Sequence, residues 1–158
     1  MIAIPIPWNR SKWSTMSFSS TLYLCPVLDL LLVNVPPEWR AEVRLGLQEA
    51  LVNAAKHGNK LDPAKTIMVK FTVTSSEYSW VIVDQGQGFA AGCMCLQSRH
   101  LQAQKLPAVE AENGRGFSIL HEIFDDVHWN RDGTQLTLSK IIARDKDKQH
   151  VEDFDYSR

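Results

Sequence analysis

Three short groups of residues, in a fixed order, carry side chains that can do chemistry. They are Glu49-Ala-Leu-Val-Asn53-Ala-Ala-Lys-His57-Gly58, Asp84-Gln-Gly86-Gln-Gly88-Phe89 and Asn113-Gly114-Arg115-Gly116-Phe117. In the first, a carboxylate and an amide oxygen stand four residues apart. On a helix both point the same way, so they can converge on one metal ion and one water or hydroxyl. In the second, an aspartate precedes two glycines. Their bare backbone can approach a flat ring, while the carboxylate accepts hydrogen bonds from an exocyclic amine and so selects adenine over guanine. The third places Gly114 and Gly116 at the entrance to a helix expected from Phe117 to about Phe124, where free N–H groups and the helix dipole can hold phosphate oxygens. Arg115 adds a forked cation there. Taken together, the three groups read as an ATP site.

Each group alone is weak, because short glycine patterns recur by chance. Glu49 and Asn53 by themselves describe a solvated helix edge, Asp84 and its glycines an ordinary turn, and Arg115 a salt-bridge residue. His57 fits the negative end of a helix dipole better than a catalytic role. His121-Glu122 superficially matches a phospho-acceptor histidine box, but it follows the nucleotide groups and no helical hairpin precedes them. Cys93 and Cys95 lack the two-residue spacing of common zinc sites, and only His100 stands nearby, so they are expected in a loop.

Recognisable elements must position these residues. Pro36-Pro37-Glu38 opens a helix expected from about Glu38 to His57, with Trp39, Val43, Leu47, Ala50, Leu51 and Ala54 forming its apolar face and Gly58 its stop. Ser20-Thr21 is expected to cap an earlier helix running through about Val33. Thr66 to Thr74 alternates apolar and polar residues, and Tyr78 to Val83 should pair with it through a Ser-Ser-Glu turn. Two further strands, about Val127 to Asn130 and Thr134 to Ile141, are joined by Arg131-Asp132-Gly133, a strong hairpin signal. The expected fold is an α/β (α+β) two-layer sandwich, a mixed or antiparallel sheet covered on one face by helices. Residues 1–19 read as an irregular N-terminal segment holding one edge strand, residues 20–142 as the folded domain and residues 143–158 as a charged tail. Residues 90–113 show no clear periodicity, and a stretch of that length points to a functional flap.

Composition agrees with one globular domain. The 158 residues are 44% hydrophobic and 22% charged, with a formal charge of −1 and no basic stripe, which argues against nucleic acid as the main partner. The stretch from Leu22 to Val35 is too short for a membrane span and contains Asp29 and Asn34. With three cysteines and no recognisable signal sequence, a cytoplasmic location is expected.

Across residues 20 to 140 the chain resembles the GHKL ATPases, the superfamily of gyrase, a heat-shock chaperone ATPase, histidine kinases and MutL. Within it the likeness is to bacterial anti-sigma-factor serine-protein kinases, carried by Glu49-Ala-x-x-Asn53 running into His57-Gly58-Asn59, by Gly114-Arg115-Gly116-Phe117, and by Asp132-Gly133-Thr134 opening the closing strand. The resemblance implies a Bergerat-type ATP-binding fold, with residues 90–113 as an ATP lid. It implies Glu49 as general base, Asn53 as ligand of Mg2+, Asp84 as adenine reader, and Gly86 and Gly88 as shapers of the pocket. Gly114, Arg115 and Gly116 would surround the phosphates, and Thr134 would support the adenine contact. The implied partners are a small anti-sigma-factor antagonist that accepts the phosphate and a sigma factor, with a homodimer among the arrangements allowed. Two other functions fit the same residues: a nucleotide-sensing binding module without kinase activity, and the detached ATPase domain of a histidine kinase.

Overall fold

A computed structural model of the chain describes residues 12–88 and 108–142, with side chains for 12–88 and 116–142. The expectations for the rest of the N-terminal segment, for Cys93, Cys95 and His100, and for the charged tail lie outside the described residues.

Strand β1 (Ser14–Ser19) leads into helices α1 (Cys25–Leu31) and α2 (Pro37–Asn53), the latter continued by a π-helical turn (Ala54–Gly58). Strands β2 (Thr66–Val73) and β3 (Glu77–Val83), helix α3 (Ala108–Ile123), and strands β4 (Asp126–Trp129) and β5 (Gln135–Ile141) follow. The five strands form one sheet in the order β1-β2-β3-β5-β4, every neighbouring pair antiparallel. The α+β sandwich read from the sequence is therefore present, with a wholly antiparallel sheet. Its edge strand β1 falls inside the N-terminal segment expected to hold one.

Alternation decides which sheet face is buried. Ile67 and Val69, Tyr78, Trp80 and Ile82, and Leu136 and Leu138 point into one core with Val43, Leu47, Ala50 and Leu51 of α2 and Leu120 of α3. Each large aliphatic side chain fully withdrawn from water there contributes roughly 1.5–3 kcal/mol. Trp39 meets Tyr78 edge-on at 6.0 Å, Tyr78 stacks on Trp80 at 6.1 Å, and Trp80 meets Phe124 edge-on at 5.7 Å. Lys140 Nζ donates to the Ile123 carbonyl at 2.8 Å, pairs with Glu42 at 2.9 Å and lies 5.3 Å from the Trp39 ring centroid. One cation thus ties α2 and the end of α3 to β5.

Two helix starts differ from the sequence reading. α1 begins at Cys25 with Leu24 in the cap position and no side-chain cap. Pro26 supplies the start instead, since its fixed φ suits a first turn. Thr21 accepts from the Tyr23 amide, a local turn, and the buried Ser20 hydroxyl reaches the Ala55 carbonyl. α3 begins at Ala108, so Asn113, Gly114, Arg115 and Gly116 lie inside a helix and not at its entrance. Ala108, Glu110, Ala111 and Glu112 are good helix formers, and together they extend the helix through two glycines that each cost about 1 kcal/mol. The last part of the stretch 90–113 is accordingly helical, and residues 90–107 lie outside the described part.

Candidate functional site

Glu49 and Asn53 project from the last turns of α2 and are both partly buried. Opposite them is α3. A Cβ placed on Gly116, which is buried, would lie 3.4 Å from Glu49 Oε2 and 3.6 Å from Asn53 Nδ2. The bare backbone of α3 therefore covers the carboxylate and the amide together. The two helices also approach at Gly46, where a Cβ would lie 3.3 Å from Ile123 Cδ1 and 2.5 Å from Cε2 of Phe124, the residue just past α3.

Directly after Asn53 the helix widens into its π turn, and the Asn59 amide closes it by donating to the Ala54 carbonyl at 2.8 Å. Gly58, expected as the helix stop, is instead the last residue of the π turn, and Asn59 caps it in a right-handed conformation. Lys60 and Leu61 then take left-handed φ values of 58° and 57°, which reverse the chain towards β2.

Asp84 follows the end of β3, where its amide donates to the Thr134 carbonyl at 3.0 Å. Its Oδ1 accepts from the Gly86 amide at 2.8 Å, which uses one of about four lone-pair directions of the carboxylate. The side chain is half-buried, and this desolvation raises its pKa above the usual aspartate value; the Gly86 amide and the Lys65 charge oppose the shift. The carboxylate rests directly on Gly58, where any Cβ would collide with it. Gly86 in turn faces the Gly58 carbonyl. Gly88 has φ +68° and lies against the Asp132 carbonyl, with Thr134 Cγ2 3.0 Å from where a Cβ would be. Thr134 is fixed by Asn130, whose Oδ1 accepts from its amide at 2.9 Å.

The structure thus brings the expected residues into two neighbouring groups joined by the π turn: Glu49, Asn53 and Gly116 in one, and in the other Asp84 and Gly86 against Gly58, with Thr134 bonded to the Asp84 amide and Gly88 beside Thr134. Gly114 and Arg115 are placed on the backbone of α3. One residue with a clear structural part, Asn59, was read from the sequence only as a mark of resemblance. It is fully buried, donates to the Thr66 carbonyl at 3.0 Å and accepts from the Gln85 amide at 2.7 Å, while the Gln85 side chain accepts from the Thr66 amide at 2.7 Å. The only sequence signal for this role was an asparagine just past a helix-ending glycine.

Residues 27–140 match the histidine kinase-like ATPase domain, and the chain belongs to that family. It is also similar to the serine-protein kinase RsbW of Bacillus licheniformis, at 23% identity over 111 residues. That alignment covers 66% of this chain and 66% of the relative, a little under two thirds of each. Membership of the family implies ATP binding. The chemistry of the site fits a purine nucleotide: a half-buried acceptor sits at one end on a floor of glycine backbone, and an acid–amide pair lies at the other. Among the described residues no helix is long and apolar enough to cross a membrane.

Proposed function

We propose that this protein is an ATP-dependent serine-protein kinase that also acts by binding, phosphorylating a small antagonist protein and switching partners. The observation that carries the reading is the continuity of α2 with its π turn. One rigid segment presents Glu49 and Asn53 to α3 and, within two turns, Gly58 to Asp84. The relative's description as a serine-protein kinase supports the same direction.

In this reading Asp84 accepts the exocyclic amine of adenine, Gly86 and Gly88 admit the ring, and Thr134 supports that contact through its hold on the Asp84 amide. Asn53 holds Mg2+, and Gly114, Arg115 and Gly116 lie beside the phosphates. Bound Mg-ATP supplies the phosphoryl group. Glu49 would take the proton from a serine hydroxyl presented by the antagonist as the serine oxygen bonds to the γ-phosphorus and the bond from that phosphorus to the β–γ bridging oxygen breaks, with ADP leaving. The second partner is a sigma factor, held and released through contacts that exclude the antagonist.

The test is to incubate the protein with labelled ATP and candidate antagonists and to map phosphoserine on them. Transfer that disappears in Glu49→Gln is the expected result. Nucleotide binding with no transfer to any candidate would assign a nucleotide-sensing binding module instead.

A further inference from the structure

We propose that Gly58 is a positioning residue for base selection: its missing side chain leaves the space in which the Asp84 carboxylate is held. This inference rests on Asp84 as the adenine reader. It concerns a residue whose sequence signal is only that of a helix stop.

The backbone does not explain the glycine. Gly88 and Gly133 have positive φ, as do Lys60 and Leu61, but Gly58 does not, so its conformation is open to any residue. What excludes a side chain is the neighbour. All three terminal atoms of Asp84 stand where a Cβ would be: it would collide with Cγ and lie 2.6 Å from each of Oδ1 and Oδ2. The obstacle is a short, two-torsion side chain already tied to the Gly86 amide, with little freedom to withdraw. The Gly58 carbonyl meanwhile fills the space beside Gly86, so the same residue sets both the floor under the carboxylate and the course of the loop after it.

The surroundings hold Gly58 still. On its N-terminal side is the π turn that begins immediately after Asn53, and on its C-terminal side is Asn59, bonded to both β2 and the Asp84 loop. The extra residue in the π turn advances the chain relative to an α-helix, and a turn of this kind inside a helix often marks a functional position. The height of the Asp84 carboxylate is thereby referred to the same helix that carries Glu49 and Asn53. Base recognition and metal holding share one ruler.

The experiment is a double-mutant cycle of Gly58→Ala and Asp84→Ala with two readouts: thermal stability without nucleotide, and calorimetric affinity for ATP and GTP. Asp84→Asn serves as a separate control. In the parent background Gly58→Ala should lower the melting temperature, weaken ATP binding at least tenfold and bring the ATP-to-GTP preference close to one. In the Asp84→Ala background, where the carboxylate no longer occupies the space, the same alanine should leave the melting temperature nearly unchanged. If Gly58→Ala does not fold alone but folds beside Asp84→Ala, the coupling is demonstrated equally well. Full ATP affinity and base preference in Gly58→Ala would overturn the proposal, as would equal destabilisation in both backgrounds. Asp84→Asn that binds ATP like the parent would sink the adenine assignment itself, a different failure from that of Gly58.

Discussion

Gly116 of α3 lies over Glu49 of α2, with only 3.4 Å between the carboxylate Oε2 and the place a Cβ would occupy. That distance is ordinary van der Waals contact, so alanine fits there without displacing either helix. Gly116→Ala should therefore stabilise α3, by up to about 1 kcal/mol from helix propensity. The added methyl would nonetheless sit against the acid–amide pair. The expected outcome is a raised melting temperature with weaker magnesium-dependent ATP binding, measured by thermal unfolding and calorimetry on the same variant.

Glu49→Gln separates chemistry from binding. Glutamine keeps shape and polarity but cannot accept the hydroxyl proton at neutral pH. Nucleotide affinity should survive while phosphoryl transfer falls by about two to four orders of magnitude. A single-turnover assay with a phosphorylatable antagonist reads this directly, and unchanged transfer would remove Glu49 from the mechanism.

Asn53→Ala removes the amide oxygen one turn beyond Glu49. ATP affinity measured with and without Mg2+ should differ in the parent and become equal in the variant. Equal affinities already in the parent would count against the metal assignment.

Asp84 sets a pH dependence whose sign follows from its burial. Its folded pKa is raised, chiefly by desolvation, so the folded state binds its proton more readily than the unfolded chain does. Stability without nucleotide should then fall as pH rises from the ordinary aspartate pKa through the higher folded value, and stay lower above it. Asp84→Asn should remove that dependence and raise the melting temperature at neutral pH. The same change should weaken ATP binding by roughly 1–3 kcal/mol, because the amide no longer offers acceptors alone. In the parent, ATP affinity should decline as pH falls through the folded pKa. A variant that is more stable and binds ATP less well is the combination to look for.

Asn59→Ala should be costly even in the absence of nucleotide. Removing a fully buried amide leaves the Thr66 carbonyl and the Gln85 amide without their partner, and each such group costs about 1–3 kcal/mol. Urea unfolding checks the size. Faster amide exchange at Gln85 and Gly86 than in the parent would locate the loss at the Asp84 loop.

The sheet was legible because its signals are local. Alternation in Ile67, Val69 and Phe71 marks β2, and Arg131-Asp132-Gly133 marks the β4–β5 hairpin, where Gly133 has φ +71°. Strand order was not legible, since nothing in a strand's own residues says that β5 enters between β3 and β4. The start of α3 was misread because glycines usually end helices, and the cumulative propensity of Ala108 to Glu112 outweighs two of them. At the site, the spacing of Glu49 and Asn53 foretold a shared direction. The contacts of Gly58 and Asn59 were hidden because they join segments distant in sequence. A π turn leaves no periodic signature over five residues.

The sheet order carries a consequence for how the chain reaches its folded state. β2 with β3 and β4 with β5 are hairpins of neighbouring strands, able to form in microseconds. β3 and β5, which make the centre of the sheet from Glu77↔Ile141 to Val83↔Gln135, can join only when the whole stretch from Asp84 to Thr134 closes on itself. That closure costs entropy in proportion to the logarithm of the enclosed length. Its encounter should set the folding rate, with mutations at the Trp80–Leu138 pair slowing refolding in stopped-flow measurements. Asp84, Gly86, Gly114, Arg115, Gly116 and Thr134 all belong to the enclosed stretch. Competence to hold a nucleotide should therefore arise in the same event that commits the domain to its native topology, and early hairpin-containing species on the ribosome should be unable to bind ATP.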